Sequence, residues 1–249
     1  MPVHGKVEDY GKMLENIGTH LSNQSVLPHE WILVCDSDST WLHQISLPSF
    51  TKIIVSPQNS ASQKRNMGLD EAGGEFILLL DSDQWPETPD LISECITVAQ
   101  QGYDILLIPE KFSNSGPYLK RCYHHLRGLY WKHSGGGIPR FFRKSTIGDK
   151  RYDLSRLHFE DVHFHESVRG GAREGVVMNH IIHNEPFHML GTMRKARIAQ
   201  KQKQVHGIKS SFRLSFSQIL GETPLRILPG VVLILILRTL ARRLLPMRG

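Results

Sequence analysis

Glu71-Ala-Gly-Gly-Glu-Phe-Ile-Leu-Leu-Leu-Asp-Ser-Asp83 is the stretch on which the fold turns. A double glycine ends whatever precedes it, five apolar residues from Phe76 to Leu80 follow, and the run stops on two aspartates separated by a serine. A short apolar run bounded by turn signals reads as a strand buried on both faces, as in a parallel sheet covered by helices. Asp-x-Asp alone is a weak signal, because aspartate also caps helices and closes turns. Here the pair sits at the rim of a buried sheet, and ligands of such sheets lie beyond the carboxyl ends of the strands. Two hard oxygen ligands in that place suit Mg²⁺ or Mn²⁺ bridging a diphosphate.

Working outward, the same unit recurs. Ser60 to Ala72 is helix-like and follows a strand at Lys52-Ile-Ile-Val55. Trp31-Ile-Leu-Val-Cys35 is another strand, and it too breaks into Asp-Ser-Asp at positions 36–38. Tyr10, Met13, Leu14, Ile17 and Leu21 recur at spacings of three and four, which predicts an amphipathic helix over Glu8 to Gln24. Pro89 to Gln101 reads as helix and Asp104 to Ile108 as strand. Strands alternating with helices imply a largely parallel sheet with helices on both faces. Met1-Pro2-Val3 is too short for the first strand such a sheet would want.

Gln63-Lys-Arg-Asn-Met-Gly68 followed by the Glu71–Asp83 stretch resembles the signature of the family 2 glycosyltransferases, which have the GT-A fold, a Rossmann-like sheet that binds nucleotide sugars. Three further segments, in the expected order, extend the resemblance. Pro28 to Asp38 is similar to the family's second strand, whose terminal acid contacts the nucleobase, and Asp36 falls there. Ser134-Gly-Gly-Gly-Ile-Pro-Arg-Phe-Phe-Arg143 resembles the glycine-rich acceptor-side loop, and Phe159-Glu-Asp-Val162 the Glu-Asp element. His183 falls where the fold often places a metal-binding histidine. Pro2-Val-His4 is similar to the end of the first strand, so Val3 and His4 are implied donor contacts.

The resemblance implies an enzyme that moves a sugar from a nucleotide-sugar donor to an acceptor hydroxyl with inversion. Asp81, Asp83 and His183 would hold the Mn²⁺ or Mg²⁺ ion, which stabilises the leaving phosphate. Arg65 would pair with a phosphate or the base edge, and Asp161 would take the acceptor's proton as general base. Gly135, Gly136 and Gly137, with Glu160, would line the acceptor side, where backbone must approach the sugar closely. On the residues alone, Glu160-Asp161 could equally open a helix, the glycines could be a hinge, and Arg65 could be a surface side chain. A separate metal site of His158, His163 and His165 would need an extended segment, because a helix from Glu160 would separate them.

Composition bounds the rest. The chain has 249 residues, 40% of them apolar and 22% charged, which excludes a disordered, collagen-like or polytopic membrane protein. From Met189 onward, twelve Lys and Arg face one acid, Glu222, giving +11; the preceding 188 residues carry 18 basic and 23 acidic side chains, giving −5, and together these make the net +6. The expected division is a catalytic domain over 1–190 and a basic, helical, membrane-associated tail over 191–249. The apolar run Ile227 to Leu237 would span about 16 Å as helix, against about 30 Å of hydrocarbon core. An interfacial anchor on anionic headgroups therefore fits better than a span, with a buried helix or dimer contact as the alternative. The expected location is the cytoplasmic face of the cell membrane, since MPVHGKVEDY lacks a secretory signal. Expected partners are the donor, a glycan or lipid-linked acceptor and the membrane surface. Nucleic acid is not expected, for the basic residues lack interleaved aromatics. Cys35, Cys95 and Cys122 show no paired spacing and read as thiols without a disulfide partner. The rival readings are a nucleotidyltransferase-like enzyme and an inactive sugar-nucleotide-binding membrane scaffold.

Overall fold

The computed structural model describes residues 1–3, 7–36, 40–134, 137–207 and 214–244. Its strands are β1 (Trp31–Asp36), β2 (Thr51–Ser56), β3 (Phe76–Leu78), β4 (Gln84–Pro86), β5 (Ile105–Leu107), β6 (Glu110–Phe112), β7 (Phe141–Arg143), β8 (Glu174–Val176) and β9 (Ile181–His183). Its helices are α1 (Val7–Ser22), α2 (Ala61–Glu71), α3 (Leu91–Gln100), α4 (Tyr118–His133), α5 (Lys144–Ile147), α6 (Glu160–Val168), α7 (Met189–Val205), α8 (Phe216–Glu222) and α9 (Leu228–Leu244). The expected elements from residue 8 to 108 are all present, with ends moved by one or two residues. The chain forms two compact units, one of Met1–Lys111, Gly137–Ser155 and Glu160–His183, the other of Phe112–Gly136, Arg156–Phe159 and Asn184–Gly249. The second unit thus takes α4 as well as the tail, a different partition from a cut at residue 190.

In the first unit β1 and β2 pair in parallel, and β3-β7-β5-β8 and β4-β9-β6 form two further sheets. The expectation of a largely parallel sheet is corrected. β7 lies between β3 and β5 and runs antiparallel to both, and β4 pairs antiparallel with β9; β5 and β8 are parallel. The architecture is mixed α/β. Strands of three residues are too short to show a period, so Phe141–Arg143 reads in the sequence only as the end of a loop.

Period-two alternation builds two cores, one on each face. Leu33 and Cys35 of β1, Leu106 of β5 and Phe141 of β7 join Leu14 and Ile17 of α1 and Leu91 and Cys95 of α3. The alternate residues Ile32, Val34, Ile105 and Phe142 join Leu69 of α2 and Phe164 of α6. Helices thus cover both faces of β1 and β5, whose apolar residues from Trp31 to Cys35 and from Ile105 to Leu107 are buried or nearly so. Helix α2 starts where the Ser60 hydroxyl accepts from the Gln63 N–H.

In the second unit α9 packs against α4 and α7. Val231 and Ile234 are buried with Cys122, Tyr123 and Leu126 of α4 and Ile219 of α8. Gly230 makes this approach possible: a Cβ there would lie 2.5 Å from Cys122 Sγ and 2.8 Å from Tyr118 Cε1. Leu233, Ile236 and Leu240 lie on the outer side of α9 and are exposed. No helix among the described residues is long and apolar enough to cross a membrane. The three cysteines are buried free thiols.

Candidate active site

The carboxyl end of β3 delivers Asp81 and Asp83, and the chain then turns at once into β4. The Gln84 side chain accepts from the Asp81 N–H at 3.0 Å, and the Gln84 N–H donates to the Asp81 carbonyl at 3.0 Å. In the β4–β9 ladder Gln84 stands opposite His183. That register carries a histidine one hundred residues downstream to the second aspartate, with Nε2 3.5 Å from Asp83 Oδ1. On its other side His183 Nδ1 lies 2.9 Å from Glu110 Oε2. A carboxylate at Nδ1 fixes the ring and directs Nε2 toward Asp83, as an acid behind an imidazole does when the other ring nitrogen is to bind a metal.

Asp81 does something else. Oδ1 accepts from Arg65 Nη2 at 2.6 Å and Oδ2 from Arg140 Nη1 at 3.1 Å. Arg140 Nη2 also donates to Glu110 Oε1 at 3.1 Å, and Arg65 Nη1 to Glu160 Oε1 at 3.0 Å. The Arg65 guanidinium lies over the Tyr152 ring, 5.3 Å from its centroid. A single network therefore runs from Glu160 through Arg65, Asp81, Arg140 and Glu110 to His183. Charges this buried persist only when paired on several sides.

The electrostatics follow from this pairing. Burial would raise the Asp81 pKa, but Arg65 and Arg140 hold it far below the usual carboxylate range. Burial likewise opposes ionisation of Glu110, yet Arg140 and His183 bring it down to about 2. Burial lowers His183, but Asp83 and Glu110 outweigh it and raise it to about 10. Glu160 is raised, first by burial and then by the neighbouring Asp161 charge, with Arg65 acting in the opposite sense.

Glu160 and Asp161 form the first turn of α6, as the helix reading of this pair expects, and Arg65 links Glu160 to Asp81. Asp161 Oδ1 accepts from the Val162 N–H at 2.8 Å. Among the described residues no ion pair engages its carboxylate, whereas Glu160 is held by Arg65. The φ of +64° at Phe159 turns the chain sharply into this helix.

Lys64, adjacent to Arg65 on α2, is completely buried. Its Nζ lies 2.5 Å from Asp36 Oδ1 at the end of β1 and donates to the Val3 carbonyl at 2.7 Å. The implied donor contacts Val3 and Asp36 are thus brought together by one lysine. Gly137 belongs to the same unit; His4, Gly135 and Gly136 lie outside the described residues. Lys64, Gln84, Glu110, Arg140 and Tyr152 were not picked out from the sequence. Two carried a readable signal. Glu110 follows the apolar Ile105–Ile108 run as Asp81 follows its own strand, and Arg140 lies inside the quoted glycine-rich stretch. The helix α6 separates the histidines after Phe159, and His165 pairs with Glu174 at 2.6 Å.

Metal fit can be judged from the donors. Among the described residues no group of three or more His, Cys, Asp or Glu converges as a complete cage. Asp83 and His183 offer one carboxylate oxygen and one imidazole nitrogen on one side, which suits an octahedral ion that keeps its other positions for substrate oxygens.

The glycosyl transferase family 2 model matches residues 2–196 of the chain. No curated protein is significantly similar to it in sequence. Solved structures share its fold. S. aureus TarS (residues 1–349) in complex with UDP-GlcNAc superposes with a TM-score of 0.58 at 18% identity, over 96% of this chain and 79% of that one. The mannosyltransferase PcManGT from Pyrobaculum calidifontis, in complex with GDP-Man and Mn²⁺, gives 0.59 at 12% identity, over 97% and 70%. Glucosyl-3-phosphoglycerate synthase from Mycobacterium tuberculosis, in complex with Mn²⁺, UDP and phosphoglyceric acid, gives 0.54 at 12% identity, over 84% and 78%. With the family model covering most of its length, the chain belongs to glycosyl transferase family 2 and is a glycosyltransferase of GT-A-like fold.

Proposed function

We propose that the protein transfers a sugar from a nucleotide-sugar donor to an acceptor hydroxyl with inversion, assisted by a divalent metal. The observation that carries this reading is Arg65, which ties the strand-end acid Asp81 to the Glu160-Asp161 helix start across 79 residues of sequence. Donor-phosphate chemistry and proton removal are thereby held against one guanidinium. Asp83 and His183 would hold Mn²⁺ or Mg²⁺, with Glu110 behind the imidazole. When bound, the ion neutralises charge on the leaving diphosphate. Asp81 serves as the counter-ion of Arg65 and Arg140 and keeps both guanidinium groups at the site, although the Asp-x-Asp pattern alone would make it a ligand too.

The acceptor oxygen forms a bond to the anomeric carbon as the bond from that carbon to the phosphate oxygen breaks. The acceptor's proton passes to Asp161, whose carboxylate makes no ion pair among the described residues, and the nucleoside diphosphate leaves with the bonding pair. Val3 and Asp36, steadied by Lys64, would face the nucleobase, and the glycine-rich segment ending at Gly137 the acceptor. The exposed Leu233, Ile236 and Leu240, with Arg226, Arg242 and Arg243 nearby in sequence, support docking on an anionic bilayer and hence a lipid-linked or surface-glycan acceptor. A donor screen with membrane extracts, read by release of nucleoside diphosphate and by product mass, tests this reading. Release of pyrophosphate, or no turnover with any donor, overturns it.

A further inference from the structure

Helix α4 carries a glycine in the middle of one face. Arg121, His125, Gly128 and Lys132 follow one another at intervals of four, three and four residues and so share a stripe. Glycine in a helix interior is costlier than alanine. Packing does not ask for it here, since among the described residues a Cβ at 128 would meet only Phe112 Cδ2, at 3.9 Å, an ordinary contact. The stripe instead forms one wall of a cavity of about 310 Å³ within the second unit, faced by Asn114 and by Pro224, Arg226 and Ile227 ahead of α9. The missing side chain leaves that wall open.

The cavity presents donors and few free acceptors. Its lining carbonyls are already taken: that of Ser113 by the His124 ring, that of Pro224 by the Ile227 and Leu228 N–H groups, that of Arg226 by the Tyr118 hydroxyl at 3.2 Å and that of Ile227 by the Val231 N–H. Among the described residues no Asp or Glu lines it. Lys132 is matched by Glu222 at 2.6 Å, and His125 meets the Thr223 hydroxyl through Nε2 alone, at 3.2 Å. The Arg121 and Arg226 guanidinium groups and the Asn114 amide make no hydrogen bond or ion pair among the described residues.

We infer that this cavity binds a phosphate monoester. Such a group carries about two negative charges near neutral pH, which the unmatched Arg121 and Arg226 balance, and a guanidinium meets it with paired N–H groups. The volume lies near the lower end of the ~300–1,000 Å³ of small-ligand sites, room for the phosphate and the first carbons of its ester. Leu225, between two lining residues, is 84% exposed and offers an apolar contact at the rim for the rest of the molecule. All of these residues belong to the second unit, whereas Asp81, Asp83 and Asp161 belong to the first, and none has a part in the sugar transfer proposed above.

The test titrates glycerol 3-phosphate, with glycerol as control, into the full chain in EDTA. It also floats the chain with phosphatidylcholine vesicles holding either phosphatidic acid, a phosphate monoester, or phosphatidylglycerol, a diester, at matched surface charge. Arg121→Gln combined with Arg226→Gln is expected to weaken glycerol 3-phosphate binding more than about tenfold. Gly128→Met, which lays a flexible side chain along the stripe, is expected to do the same without lowering Tm. A preference for phosphatidic acid that the arginine variant loses identifies a lipid headgroup as the source. Equal flotation with both vesicles, while glycerol 3-phosphate still binds through the two arginines, identifies a soluble ester. The inference is overturned if the double variant binds glycerol 3-phosphate as the wild type does. It is equally overturned if the wild type neither binds that ester nor prefers phosphatidic acid to phosphatidylglycerol. No readout requires metal or sugar transfer, so the transfer reaction can fail or stand separately.

Discussion

His183 and Asp83 face each other at 3.5 Å because the β4–β9 register sets His183 across from Gln84, the residue after Asp83. In the metal-free protein Asp83 and Glu110 keep the imidazole protonated to about pH 10, whereas a metal ligand must be neutral. Mn²⁺ binding at pH 7.5 should therefore release about one proton, and metal affinity should rise with pH toward 10. Calorimetry in buffers of different ionisation enthalpy measures this. Asp83→Ala should abolish metal-dependent nucleotide binding, and His183→Gln should remove both the released proton and most of the affinity.

Asp161→Asn should leave donor binding near its wild-type value and lower kcat by about 10²–10⁴-fold, the range for loss of a general base. Glu160→Gln should differ in kind. It frees Arg65 on one side and removes the charge beside Asp161, so it should shift the pH profile and cost less in kcat. Steady-state kinetics of both variants across pH 5–9 would show which acid takes the proton.

The fold and the site were legible to different depths. The apolar runs ending at Asp36 and Asp81 each meet helices on two faces, so length and period identify them as strands. Phe141–Arg143 is only three residues long, and nothing local shows that it runs antiparallel between β3 and β5. Asp83, Asp161 and His183 stand out in the sequence as candidates because each residue type suggests its chemistry by itself. Asp81 as an arginine counter-ion is not, since its role depends on Arg140 arriving from 59 residues downstream. Lys64 reads as a surface residue on a helix until β1 and Val3 are seen to close over it.

The Glu110 and Asp81 carboxyls lie below their unfolded values, so their stabilisation is present above that value and lost as pH falls. For Glu110 the window runs from 4.5 down to about 2 and corresponds to on the order of 3 kcal/mol. Stability should fall across this interval in acid titrations followed by Tm, and Glu110→Gln should flatten the dependence. Asp81→Asn leaves two buried guanidiniums short of a counter-charge and should cost about 3–5 kcal/mol at neutral pH, read by urea unfolding.

At Gly230 two effects of opposite sign compete. Alanine gains up to about 1 kcal/mol of helix propensity, but its Cβ would stand 2.5 Å from Cys122 Sγ. Overpacking of that kind costs about 1–3 kcal/mol, and the clash should win. Gly230→Ala is expected to destabilise the protein, and adding Cys122→Ala should recover part of the loss in a double-mutant cycle.

Flotation with anionic vesicles tests the outer side of α9. Replacing Leu233, Ile236 and Leu240 together by serine should abolish binding while leaving Tm nearly unchanged, because these side chains are exposed. Wild-type protein that ignores anionic vesicles would remove the membrane from the proposed function.

Lys64 and Arg65 are consecutive, yet one grips the end of β1 and the other the end of β3 and the start of α6. A single turn of α2 therefore transmits position between the two strand ends, like a crossbar. In the proposed enzyme, a donor carrying the wrong base would displace Asp36 and, through Lys64, tilt Arg65 away from Glu160. Discrimination among nucleotides would then register in turnover as well as in affinity.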